Sequence, residues 1–199
     1  MNAVRTVAPA YLPITLAQAR AQCKVDSDNI SEDTLFTGVW IPAAVEACEQ
    51  LLRRSIMLQT WRLTLDEFED EISLPWPKVL AVSAVEYRDT AGAWQTLDAA
   101  YYEVDADAAP GRLKLASGYS WPSLYDGINT VKITYTAGYA NGNEAAQQAA
   151  VPANIKHWLL LATGTAYAQR ESLAAGVNLL ELPGRTFDGL LDRERIWGY

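Results

Sequence analysis

The spacing of apolar residues changes twice along this chain, and each change predicts a change of secondary structure. Before Ser55 the apolar positions recur every three or four residues, which is the spacing of a helix. Across residues 58–66 polar and apolar residues alternate, which is the spacing of a half-buried strand. Helical spacing returns after Pro152, which suits the first turn of a helix. The pattern therefore predicts a block of strands between two helical segments.

Local start signals place the helices more closely. Thr15 is an N-cap with Gln18 at the capping-box position, so a short first helix should follow it. A longer second helix should end near Ser55. Pro42 lies within that helix and lacks a backbone N–H, which predicts a kink or break near Trp40-Ile41.

Turn residues divide the block of strands into pairs. Residues 79–88 and 94–97 flank a turn ending in Gly92 and form a predicted hairpin. Residues 101–105 and 112–115 form a second pair. Residues 131–136 alternate most regularly and predict the last strand.

Together these elements predict an α+β fold: a small helical bundle with an inserted antiparallel β domain and an extended C-terminal tail. The expected boundaries are a flexible arm at 1–12, the helical bundle at 13–56 and 151–172, the β domain at 57–140, a loop at 141–150 and the tail at 173–199.

Composition narrows the class of protein. The net charge of −8 repels phosphate and argues against a dedicated nucleic-acid-binding surface. Cys23 and Cys48 fit neither a zinc site nor a disulfide framework. No apolar run is long enough to span a bilayer, and the first residues do not resemble a secretory signal, so we expect an intracellular origin and no membrane contact.

Catalytic chemistry finds little support in the sequence. His157 has no second ligand at metal-binding spacing, and phosphate-loop, dinucleotide and nucleophile-elbow motifs are absent. The carboxylates of residues 66–71 favour a solvated loop, although a carboxylate-dependent hydrolase stays open as an alternative. We expect no catalytic residue, no metal and no cofactor.

Aromatic residues supply the candidate contact surfaces. Trp76 and Trp121 adjoin prolines in irregular stretches, where interface use and local packing are equally plausible and a carbohydrate-binding platform would look the same. The tail mixes apolar and cationic side chains and could insert into a partner or pack on its own domain. The candidate assembly contacts are Trp76, Trp121, Arg185, Phe187, Arg193, Arg195, Trp197 and Tyr199.

A series of short motifs occurs in a fixed order between residues 15 and 170. They are Thr15-Leu16-Ala17-Gln18-Ala19 through Asp26, Ile41-Pro42-Ala43-Ala44-Val45-Glu46, Gln59-Thr60-Trp61, Leu74-Pro75-Trp76-Pro77, Val82 through Tyr87 with Asp89 and Gly92, Tyr102 with Val104-Asp105, Trp121-Pro122, Tyr135-Thr136-Ala137-Gly138-Tyr139, and Val151-Pro152 with Ile155-Lys156. In this order the sequence resembles the phage head-tail connector (adaptor) family of tailed phages, prophages and gene transfer agents. Two departures are Pro42 and the tail from Leu173 to Tyr199.

The resemblance implies a structural adaptor that is not an enzyme. Copies of the chain, twelve in the particle, would form a ring on the portal protein and link the capsid to a tail-side connector or terminator protein. DNA would pass through this ring without sequence-specific binding. The expected location is the head–tail interface of the virion, after assembly in the bacterial cytoplasm. A virion-associated carbohydrate-binding module stays open beside the hydrolase.

Overall fold

A computed structural model describes residues 2–26, 28–169 and 187–196 and shows a mixed α+β fold, as the sequence predicts. The helices are α1 (Leu16–Cys23), α2 (Asp33–Leu35), α3 (Ile41–Leu52), α4 (Glu144–Ala150) and α5 (Ala153–Ala168), with a π-helical turn at Phe36–Trp40 and 3-10 turns at Ala99–Tyr101 and Gly189–Leu191. The strands are β1 (Asn2–Val7), β2 (Gln59–Leu65), β3 (Glu71–Leu74), β4 (Val79–Arg88), β5 (Trp94–Thr96), β6 (Tyr102–Asp105), β7 (Gly111–Leu115) and β8 (Val131–Ala137).

The described residues form two units. The β unit contains the residues up to Ala10 together with Arg54–Gly142. The helical unit contains Tyr11–Arg53 together with the residues from Asn143 onward.

Two antiparallel sheets build the β unit. The larger has the strand order β1-β2-β8-β4-β5, and the smaller has the order β3-β7-β6. Leu63, Ile133 and Val85 lie side by side on β2, β8 and β4, and all three are fully buried. Their alternation with partly exposed neighbours is what the period of two in the sequence predicts. Both predicted strand pairs are confirmed, as β4 with β5 and β6 with β7.

Two segments before the tail differ from their predicted state. Residues 2–7, expected to be part of a flexible arm, form β1 and pair with β2 at the sheet edge, a partner almost 60 residues away that local sequence does not reveal. Residues 144–150, expected to be a loop, form α4. Asn143 caps this helix by accepting from the Ala146 N–H at 3.0 Å, and alanine is the best helix former.

In the helical unit, the chain continues from α2 through the π-helical turn into α3 without a break. The Ile41 N–H donates to the Phe36 carbonyl, five residues earlier, and Pro42 occupies the first turn of α3. Because proline has no N–H to donate, widening the turn before it accommodates the missing bond. The irregularity predicted near Trp40-Ile41 is therefore this π-helical turn. The Phe36 ring stacks on Tyr167 of α5, with ring centroids 5.4 Å apart.

The cysteines should differ in reactivity. Cys48 is fully buried on α3, and burial followed by the nearby Glu49 charge raises the pKa of its thiol to about 12. Cys23 is only partly buried. Since the thiolate is the reactive form, we expect a maleimide at neutral pH to label Cys23 in the folded protein and Cys48 only after denaturation. Mass spectrometry of the labelled peptides would measure this, and equal labelling rates in the folded protein would contradict it.

Candidate assembly surfaces

Trp76 lies in the corner between β3 and β4, where it contacts other side chains of the β unit. The Trp76 ring stacks on Trp61, with centroids 4.9 Å and planes 3° apart. Trp61 Nε1 donates to Ser55 Oγ at 3.0 Å, and that hydroxyl donates to the Trp76 carbonyl at 3.0 Å. Trp76 is half-buried against the core, so the corner is less exposed than its proline-flanked sequence suggests. Its use as an assembly contact stays a prediction.

Trp121 occupies a similar position in the long connection between β7 and β8. Its ring stacks on Phe68 with centroids 4.3 Å and planes 4° apart, and it too is half-buried against the core. One face of each tryptophan is thus covered by another aromatic ring. An open cleft of about 590 Å³ adjoins Trp121 and is lined by Asp66, Glu67, Phe68, Trp121, Pro122, Leu124, Tyr125, Asp126 and Gly127.

The carboxylates of residues 66–71 have separate environments. The Asp66 carboxylate accepts from the Asn129 N–H at 2.7 Å and anchors the end of that connection. Glu71 lies on β3, where its carboxylate is 2.6 Å from Lys114 Nζ of β7. The hydrogen bond from Lys114 is the main cause of a lowered pKa at Glu71. A general acid needs a raised pKa, so Glu71 is unsuited to that role in the hydrolase alternative.

A second cross-strand ion pair lies on the same small sheet. Arg112 Nη2 is 2.6 Å from the Asp105 carboxylate, and this hydrogen bond lowers the pKa of Asp105 and raises the pKa of Arg112. Glu71 also faces Arg112, at 3.7 Å. These side chains are exposed, so the ion pairs add little to stability. They favour the observed register of the strands.

Half of the proposed tail contacts lie within the described residues. Phe187 stacks on Trp158 of α5, with centroids 5.0 Å apart, and Asn154 Nδ2 of α5 donates to the Leu190 carbonyl at 2.9 Å. Arg185, Trp197 and Tyr199 lie outside the described residues.

The tail segment 187–196 is consequently folded onto the helical unit. Leu191 and Ile196 are buried, and the Ile196 N–H donates to the Leu52 carbonyl of α3 at 3.2 Å. Arg195 lies 3.6 Å from Asp192, whereas Arg193 is exposed. This differs from the extended tail expected from sequence, because its apolar residues find partners on α3 and α5. Of the candidate contacts in this segment, Arg193 is the one most open to a partner.

The helical unit also presents an exposed apolar surface that the sequence prediction missed. Leu35, Val39, Ala43, Ala47 and Leu51 recur at every fourth position along α2, the π-helical turn and α3, and all five are exposed. We refer to these residues as the apolar ridge. The opposite face carries the buried Phe36, Ile41, Val45, Cys48 and Leu52. The sequence did contain a sign of this surface, because apolar residues occur on both faces of this helical stretch and its own core can cover only one of them.

Other chemistry is sparse in the described part of the chain. His157 is exposed on α5. Within residues 2–26, 28–169 and 187–196, no three His, Cys, Asp or Glu side chains are grouped so that they could hold a metal ion. In the same ranges no helix combines the length and apolar character needed to cross a membrane.

The class defined by these units is an α+β protein that combines a helical unit with a β unit of two antiparallel sheets, and its helices come before and after β2–β8 in the chain. No protein-family model matches the sequence, and no curated protein does. Solved structures share the fold over the full chain.

Three of these structures come from gene transfer agent (GTA) particles. A chain in the neck of an empty GTA particle computed with C6 symmetry has a TM-score of 0.80 and 24% identity. A chain in the virion of a native GTA particle has a TM-score of 0.75 and 22% identity, and one in the neck of a native GTA particle computed with C12 symmetry has 0.74 and 23%. Each alignment covers 100% of this chain and 97% of the other. At these identities the likeness establishes a shared fold.

Proposed function

We propose that this chain is a structural component of the neck of a phage-like particle and acts there as the head–tail adaptor. The observation that carries the proposal is the full-length match to a GTA neck chain, at a TM-score of 0.80 with 97% of that chain covered. The order of motifs from Thr15 to Arg170, which resembles the phage connector family, supports the same role independently. A structural role, which depends on binding surfaces, also agrees with the scarcity of catalytic groups among the described residues.

In this role the chain forms a ring. Two of the similar neck structures were computed with C6 and C12 symmetry, which favours a ring of twelve copies around the particle axis. Such a ring closes through repeated contacts between two different surfaces of each copy. Its partners are the portal protein on the head side and a connector or terminator protein on the tail side. The ring is located at the head–tail interface of the virion and assembles in the bacterial cytoplasm.

The acidic character of the chain suits a wall around passing DNA. With a net charge of −8, a ring of such copies repels phosphate and does not retain the duplex. Sequence-specific DNA binding is therefore not part of the proposed role, nor is a cofactor or an enzymatic activity.

Co-assembly with purified portal rings tests the proposal. We expect electron microscopy to show the chain as a ring coaxial with the portal, with twelve copies by native mass spectrometry. Capsid-protein shells that lack the portal are the matched control and should bind none of the chain. Failure to bind the portal would refute the adaptor role.

The same preparation can be tested for carbohydrate binding, because the cleft beside Trp121 combines aromatic and carboxylate groups. A glycan-array signal lost in Trp121→Ala but retained in Trp94→Ala, an exposed tryptophan that does not line that cleft, would favour the carbohydrate-binding module instead. The adaptor proposal expects no such signal.

A further inference from the structure

The apolar ridge is geometrically suited to packing against another helix. Residues at every fourth position form one of the inclined rows by which helices commonly interlock. From Leu35 to Leu51 the ridge extends about 24 Å, at about 1.5 Å per residue. Leu35, Val39 and Leu51 are 41%, 50% and 37% exposed. A helix with one apolar face already in its own core normally has its second apolar face covered as well. No described residue covers the ridge.

The side chains at the centre of the ridge are small. Ala43 and Ala47 lie between the larger Val39 and Leu51, and both are exposed. At the neighbouring Gly38, an added Cβ would meet no atom within 4 Å. Small side chains at the middle and larger ones toward the ends allow a second helix to approach closely and be held at its ends.

Charge indicates what covers the ridge. Each copy carries a net charge of −8, so two copies repel each other overall. None of the five ridge residues is charged, and the Asp33 side chain at the start of α2 is already paired with Arg20 of α1. Because the five ridge residues carry no charge, they add no repulsion of their own where two acidic copies meet.

We infer that the apolar ridge is a contact between neighbouring copies of this chain, in which the ridge of one copy packs against a different surface of the next. The inference rests on the proposed function, because a ring supplies the repeated neighbour. It assigns to α2–α3 one of the two surfaces that a closed ring needs. It also accounts for exposed apolar side chains that would otherwise favour aggregation.

The variant that tests this contact is Ala47→Arg. Arginine is a strong helix former, and position 47 is exposed, so the folded chain should retain its circular dichroism spectrum and thermal midpoint. A long cation in the packed interface should reduce complete rings on portal-bearing heads about tenfold or more. Ala47→Ser keeps the side chain small and should assemble like the wild type.

A photo-crosslinker identifies what occupies the ridge. With p-benzoylphenylalanine in place of Leu51, at the end of the ridge where a large side chain already lies, we expect crosslinked dimers of the chain in otherwise wild-type particles. A crosslink within one chain, or to a different neck protein, would overturn the inference. If Ala47→Arg formed rings as complete as those of the wild type, the inference would be overturned and the proposed function would stand. If the wild-type chain were absent from the neck, both the ridge contact and the proposed function would be wrong.

Discussion

Replacing Gly138 by alanine is expected to lower the free energy of unfolding by about 2–4 kcal/mol. Gly138 follows β8 with a φ of +151°, and its N–H donates to the Lys78 carbonyl at 2.9 Å. A Cβ there would lie 2.8 Å from the Met57 carbonyl oxygen and 2.9 Å from the Leu58 nitrogen. Both neighbours are backbone atoms next to β2, so they cannot move aside without disturbing the pairing of β2 with β8.

Chemical denaturation followed by tryptophan fluorescence would measure the loss. Gly189→Ala is the matched control, since an added Cβ at Gly189 meets no atom within 4 Å and its φ is not positive. The control should stay within about 0.5 kcal/mol of the wild type. Equal midpoints for the two variants would show that the sheet end is more adaptable than its backbone contacts indicate.

A second large effect is expected at the centre of the main sheet. Ile133→Ala should cost about 2–5 kcal/mol, because it removes a fully buried side chain between two strands that cannot close the gap. Ile133 lies opposite Leu63 of β2 and Val85 of β4, both also fully buried. The lost packing therefore affects three adjacent strands at once.

The next residue on the strand provides the comparison. Thr134 points to the other face of the sheet, where it is partly exposed, and Thr134→Ala should cost at most about 1 kcal/mol. Urea unfolding would distinguish the two variants, provided that the slope of the unfolding free energy against urea concentration is unchanged. Hydrogen exchange of the β2, β4 and β8 amides would show whether the lost stability lies in these strands. If both variants unfolded at the same denaturant concentration, the assigned sheet register would be wrong.

Local patterns predicted strand β8 and the capped helix α1 well. β8 alternates over its whole length, and a period of two is sufficient to place its residues on two faces. Thr15 and Gln18 exchange the two hydrogen bonds of a capping box, as their spacing predicts. These features depend on residues that are close in sequence, so the sequence contains the necessary information.

Features that depend on distant partners were predicted less well. β1 becomes a strand by pairing with β2, and the tail segment 187–196 folds because α3 and α5 offer apolar surface and hydrogen-bond partners. Among the candidate contacts, Trp76 and Trp121 were correctly located in irregular stretches. Their stacking on Trp61 and Phe68, which leaves them half-buried, follows from contacts across the β unit.

The sequence by itself determined the α+β class, the succession of helices, strands and helices that follows β1, and a scarcity of catalytic motifs, because these follow from periodicity and residue type. Only the tertiary structure decided which apolar residues are buried and which stay exposed. The continuous helical stretch from α2 to α3 carries Phe36 and Cys48 in the core and also carries Leu35 and Ala47 on the apolar ridge. Hydrophobicity alone cannot separate these two faces, since burial is decided by what the fold packs against each of them.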